Sequence, residues 1–206
     1  VNRSVVREAI KLLEVHRLVR PIRRRGTEVL DPMRSVSPEV LRAMMTPASG
    51  RVDREVFRDF LEIRASLDVQ MSTLAAARRT EEDVAILEGH LARLKDAMHD
   101  RARYDVCSEA LTRAVARAAH NRIFEMLVWW NQEVARDLGD IFRTVRPANA
   151  PHLAGLSLLV GLIRDGEVEQ VRTLVEAFHD WATPRLLAAA ALSTGAPLSA
   201  VMEGIT

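Results

Sequence analysis

Apolar residues recur every three or four positions through most of this 206-residue chain, the spacing of one face of an α-helix. The pattern begins at once. Val6, Ile10, Leu13 and Leu18 form a stripe expected to be buried, while Arg3, Arg7 and Lys11 lie one turn apart on another face. Asn2 or Ser4 stands where an N-cap belongs. Val19–Ile22 and Glu28–Leu30 are short strand candidates around a tip at Arg23–Thr27, with Pro21 at an edge. Residues 31–50 hold prolines, serines and a final glycine, a linker composition, within which Ser37-Pro38-Glu39 opens a short helix.

From residue 52 the helical period hardly breaks. One long helix spans 52–79, and Thr80 with Asp83 forms a capping box that opens a second, ending near Asp100. Residues 104–120 make a third. Asn121 caps a fourth, running through Trp129 and Trp130 to about Val145. Residues 146–151 form a turn, 153–163 a fifth helix and 166–192 a sixth, bent at Pro184. Connections this short place neighbouring helices antiparallel in a bundle. The fold class expected is mainly all-α. A C-terminal bundle follows a partial winged helix-turn-helix, made of a recognition helix and a two-stranded wing.

Charge changes the picture only at one end. The whole chain carries a formal +1, but residues 1–26 hold eight Lys/Arg against two Glu, leaving the remainder at −5. A basic end on a mildly acidic body points to a polyanion partner for that end; the alternative is a solvated basic helix face. The single cysteine, Cys107, excludes an intrachain disulfide and fits a reducing compartment, and it reads as a small buried residue. No stretch reaches the roughly 18 apolar residues of a membrane span. These points lead to an expectation of a cytoplasmic protein without a membrane partner.

Several segments carry a family resemblance. RSVVREAI at 3–10 and RRGT at 24–27, followed by LEIRASLD at 61–68, LAAARRTEED at 74–83 and ARAAHN at 116–121, stand in the order seen in the GntR superfamily of transcription regulators. The helical part resembles its FadR subfamily, whose effector domain is called FCD. The resemblance covers nearly the whole chain. It implies a division into residues 1–31 (the end of a winged DNA-binding domain), 32–50 (linker) and 51–206 (effector and dimerisation domain). It also implies that the first helices of the winged domain precede residue 1.

By this resemblance Asn2, Arg3, Ser4 and Arg7 face DNA. Arginine suits the guanine edge, and a hydroxyl beside a helix N-terminus suits a phosphate. Arg23, Arg24 and Arg25 at the wing tip are placed to reach phosphates or the minor groove, and Gly26 allows the tight turn. Glu8 is expected to pair with Lys11 or Arg17 rather than read bases.

Many members of the resembled subfamily hold a divalent metal with one Asp and three His, whereas its fatty-acyl-responsive branch lacks it. In the register set by Tyr104 and 116–121, the Asp position is Ser108 and the first His position Thr112. The next falls at Ser157 or Leu156, and the last at His179 or Asp180. Hydroxyls are poor ligands, so no family-type metal and no other cofactor are expected. His152, about one turn before the third position, is the only compensating candidate. His16, His90, His99 and His120 read as surface or cap residues. Arg64 matches a position pointing into the bundle, with Asp68 one turn later; the alternative is an exposed i,i+4 pair. Asn131, Ser108, Thr112 and Ser157 are candidate polar lining, or hydroxyls bonded to their own helix. Trp129, Trp130 and Phe142 read as core or dimer interface.

The function expected is a ligand-responsive repressor, binding a pseudo-palindromic operator as a homodimer and responding to an organic acid or acyl compound. The alternative is a non-sensing helical interaction protein whose pocket has degenerated. No paired Glu-x-x-His, nucleophile–base set or phosphate loop supports an enzyme.

Overall fold

A computed structural model describes residues 2–47 and 51–193. Helix α1 (Arg3–Val15) is capped by Asn2, whose Oδ1 accepts from the Ser4 N–H at 3.3 Å. Strands β1 (Val19–Ile22) and β2 (Gly26–Val29) pair antiparallel, with Arg20 opposite Glu28 and Ile22 opposite Gly26. The ribbon is the wing expected, although β2 starts two residues earlier than its apolar residues suggest. The tip turns through Arg24 at φ 64° and Gly26 at φ 102°, both left-handed.

The stripe on α1 is not buried. Val6 keeps 46% of its surface and Leu13 40%, and no residue of α1 counts as buried. Among the described residues strand β1 of the wing is the main element packed on it, so its amphipathic face has no covering layer.

A 3-10 turn at Pro32–Arg34 leads to α2 (Pro38–Met45), which begins as the Ser-Pro-Glu signal requires. The bundle then comprises α3 (Arg54–Arg78), α4 (Glu81–Asp96), α5 (Arg101–Ala118), α6 (Arg122–Val134), α7 (Gly139–Val145), α8 (Asn149–Asp165) and α9 (Val168–Ser193). Several boundaries differ from the expected ones. α4 stops at Asp96 because Asp100 is the N-cap of α5, its carboxylate accepting from the Arg103 N–H at 3.0 Å. The expected fourth helix is two. After Val134 the chain tightens into a 3-10 turn at Arg136–Leu138 and restarts at Gly139, which lets Val134, Leu138 and Ile141 all point into one core. α8 begins inside the expected turn, with Pro151 in its first turn, where a missing N–H costs nothing. α9 continues through Pro184, and Arg185 Nη1 donates to the Trp181 carbonyl at 2.7 Å beside that interruption.

Two cores share the long helices. Phe57, Phe60 and Leu61 of α3 pack with Met45, Val134, Leu138, Ile141 and, from α9, Ala182, Leu186 and Ala190. Further along, Val69, Met71, Ala75 and Ala76 of α3 pack with α4, α5, α8 and Val171 and Val175 of α9. The seam between these cores falls at Arg64 and Asp68 on α3 and at His179 on α9.

The motifs 74–83 and 116–121 have structural roles. Arg78 Nη1 donates to the Ala119 carbonyl at 3.1 Å, and Arg79 Nε to the Arg164 carbonyl at 3.1 Å, so each ends another helix. Thr80 and Asp83 form the capping box. His120, at φ 48°, turns the chain left-handed before the Asn121 cap, and its Nε2 lies 2.8 Å from Asp83.

Candidate functional site

Two regions bring the candidate residues together. The first is the α1–wing end. Arg3, Ser4, Arg7, Arg23, Arg24 and Arg25 are all exposed. None of these five arginines makes an ion pair among the described residues, whereas Arg20 is held by Glu28 at 2.7 Å and Lys11 by Glu8 at 2.8 Å. The side chain of Asn2 is engaged in capping α1.

The second is a cavity of about 470 Å³ at the seam between the cores. Its walls come from α3, α5, α6, α7, α8 and α9. Arg64, Asp68, Ser108, Thr112, Asn131 and His179 all line it. Ser157 does not: it lies exposed on α8, because the α8 stripe that turns inward runs through Val160 and Ile163. The polar residues sit where core positions would otherwise continue. Arg64 and Asp68 extend the Phe57–Leu61 stripe by one and two turns. His179 falls between Val175 and Ala182, and Ser108 between Tyr104 and Leu111.

Arg64 and Asp68 are 3.7 Å apart, and Asp68 also meets His179 Nε2 at 3.1 Å. The pair is thus partly buried rather than a surface pair, and the Arg64 guanidinium lies over the Phe142 ring at 4.8 Å. Thr112 Oγ1 donates to the Ser108 carbonyl at 3.2 Å, so that hydroxyl serves its own helix as well.

Sequence reasoning missed the opposite wall. Arg146, expected in a plain turn, reaches in to meet Asp105 at 2.5 Å and stacks over Tyr104 at 5.0 Å. Its Nη2 donates to Asn149 Oδ1 at 3.2 Å. Arg146 Nε is the one buried side-chain nitrogen or oxygen without a hydrogen-bond partner among the described residues. His152 Nδ1 lies 3.0 Å from Tyr104 Oη. Burial first, and Arg146 second, push His152 down to about 4, and burial raises Tyr104 above its ordinary value. The neutral ring of His152 leaves Arg146 as the lasting cation of this wall.

Three further readings change. His90 is buried rather than a surface residue, and desolvation lowers its pKa. Of the two readings of Trp129, core or dimer interface, the core one falls: it is 56% exposed at the cavity mouth, under the Arg113 guanidinium at 4.6 Å. Cys107 is only half-buried. Trp130 and Phe142 do pack against the core built on Phe57, Phe60 and Leu61.

The donor set does not fit the metal of the resembled family. Ser108 and Thr112 present hydroxyls. His179 is engaged with Asp68 and His152 with Tyr104, and no group of three His, Cys, Asp or Glu converges among the described residues. Among those residues no helix is long and apolar enough to cross a membrane.

A family signature described as the FCD domain matches residues 59–180, more than half of the chain. The chain belongs to the FCD family. Its arrangement, an exposed basic helix and wing joined to an FCD bundle, is that of a GntR-type transcription regulator. The chain is 25% identical over 187 residues to the HTH-type transcriptional regulator Rv0494 of Mycobacterium tuberculosis, covering 91% of this chain and 75% of that protein. It is 26% identical over 129 residues to the HTH-type transcriptional regulator LutR of Bacillus subtilis, covering 62% of this chain and 56% of LutR. Among solved structures, Streptococcus agalactiae GntR aligns with a TM-score of 0.57 at 18% identity, over 89% of this chain and 82% of that one. A structure titled for Lar, which controls the Listeria monocytogenes agr system, aligns at 0.60 and 15% identity, over 90% of this chain and 80% of that one. These two likenesses speak for the fold.

Proposed function

We propose that this FCD protein is a cytoplasmic, homodimeric repressor whose α1 and wing grip operator DNA and whose seam cavity holds an organic anion or acyl compound without a metal. Residues 1–31 serve as the DNA-reading part, 32–50 as the connection and 51–206 as the sensing and dimerising part. The observation that carries the reading is the cluster of Arg3, Arg7, Arg23, Arg24 and Arg25, exposed and without internal counter-charges at one end of the chain. Five such cations repel one another unless a polyanion meets them. The names of the curated relatives, both HTH-type regulators, point the same way.

For the cavity, the supporting feature is Arg146 Nε. A buried donor without an acceptor costs about 1–3 kcal/mol. A carboxylate of a bound compound would supply that acceptor, with Phe178, Trp181 and Leu186 offering apolar wall to the rest of the molecule. The second reading, a non-sensing interaction protein, draws on the carboxylates that already neutralise Arg64 and Arg146.

Selection from a random duplex library with the full-length protein tests the first part. Enrichment of a two-fold symmetric sequence is expected; enrichment of nothing beyond background contradicts it. A thermal-shift series with citrate and octanoate tests the second. A saturable rise in Tm with either is expected, and its absence favours the non-sensing reading.

A further inference from the structure

One carboxylate stands between the cavity and the DNA-reading end. Glu133, on the cavity wall near the end of α6, is shared by two arginines. Its Oε1 accepts from Arg42 Nη1 of α2 at 3.3 Å, and its Oε2 accepts from Arg136, which also lines the cavity. Arg42 is steadied by a second carboxylate, with Nε 3.1 Å from Asp137. An N–H to carboxylate bond between full charges ordinarily spans about 2.7–2.9 Å. The Glu133–Arg42 bond is therefore slack while Arg136 holds the other oxygen.

α2 in turn holds the end of α1. Ser37 Oγ, at the N-cap of α2, lies 2.9 Å from His16 Nδ1, and His16 is the C-cap of α1. Ser37 also donates to Glu39 at 2.5 Å. One residue earlier, Trp130 Nε1 of α6 donates to the Val36 carbonyl at 2.8 Å. These links run from the cavity wall through α6 and α2 to the helix that carries Arg3 and Arg7.

We propose that Glu133 is a switching carboxylate: an anion in the cavity draws Arg136 away, and Glu133 then tightens on Arg42 and steadies α2 and the α1 end behind it. The proposal rests on the reading of the cavity as an anion site. A ligand acts by its different interaction with two arrangements of the protein, and here they are Glu133 shared and Glu133 given wholly to Arg42.

Removing Arg136 mimics the occupied state, so the test needs no identified effector. Amide hydrogen exchange of the full-length protein is followed in residues 38–45 and 16–18, for wild type, Arg136→Gln, Glu133→Gln and Arg42→Gln, with circular dichroism melts confirming folding. Arg136→Gln is expected to slow exchange in α2 severalfold, while Glu133→Gln and Arg42→Gln speed it. Arg42→Lys, which keeps the charge, is expected to lie nearer wild type than Arg42→Gln. If Arg136 merely stabilised the fold, its loss would speed exchange, and that result overturns the proposal. Citrate and octanoate separate the two readings. Should either raise the Tm while Arg136→Gln fails to protect α2, the switch falls and the anion site stands. Should Arg136→Gln protect α2 while neither compound binds, the linkage stands and the anion site falls.

Discussion

His152 makes the stability of this protein depend on pH in a way that can be isolated. Its ring is largely buried against Tyr104, with Nδ1 3.0 Å from the phenol oxygen, and Arg146 is close by. Burial and that cation hold its pKa at about 4 against an ordinary 6.5. The folded protein thus keeps the ring neutral over a range in which the unfolded chain takes up a proton. Stability from this group is full above about pH 6.5, falls as the pH drops towards 4, and changes no further below. At about 1.4 kcal/mol per pKa unit, the whole displacement is worth a ceiling of about 3 kcal/mol, of which about 2 kcal/mol falls between pH 6.5 and 4.5. Other groups titrate there too, His90 among them. The quantity to measure is therefore a difference. Urea unfolding at both pH values, on wild type and His152→Gln, should show the variant losing about 2 kcal/mol less on acidification. Equal losses in the two proteins would refute the assignment of a buried neutral His152.

Three other outcomes follow from the packing. Phe57→Ala empties a fully buried position edge-on to Phe142, with ring centroids 6.1 Å apart, and should cost about 3–5 kcal/mol in denaturant unfolding. Thr80→Ala breaks the capping box of α4 and should cost about 1 kcal/mol, lowering the melting temperature of the bundle by a few degrees. Arg146→Met should abolish any Tm rise produced by citrate or octanoate while the far-ultraviolet dichroism of the helices is retained; a rise of wild-type size in the variant would remove Arg146 from the binding site.

The fold was legible because its helices announce themselves twice, by apolar period and by caps such as Ser37-Pro38, Thr80–Asp83 and Asn121. The break after Val134 was not. Trp129 to Val145 keeps a helical period, and only the need to aim Val134, Leu138 and Ile141 at one core forces the 3-10 turn. Half of the cavity was legible for a similar reason. Arg64, Asp68, Ser108 and His179 are polar residues on otherwise apolar stripes, a signal visible in the sequence. Arg146 carried no such signal, since it enters from a helix end where no periodicity points inward. Its partner Asp105 is one residue removed from the Tyr104 stripe. Ser157 was misplaced because α8 is apolar on nearly every side, leaving its buried face undefined by pattern alone. The exposure of Val6 and Leu13 is the converse case: an amphipathic helix states which face is apolar, but not what covers it.

The central claim is that the arginines of α1 and the wing are aimed at a double helix. The most direct measurement is the salt dependence of affinity for the duplex enriched by selection, comparing full-length wild type with the variant Arg23→Gln, Arg24→Gln, Arg25→Gln. Each phosphate that the variant no longer neutralises should flatten the plot of log affinity against log salt by roughly one unit. A clearly shallower slope with weaker binding is the expected result. An unchanged slope and unchanged affinity, with Arg7→Gln equally silent, would contradict the account.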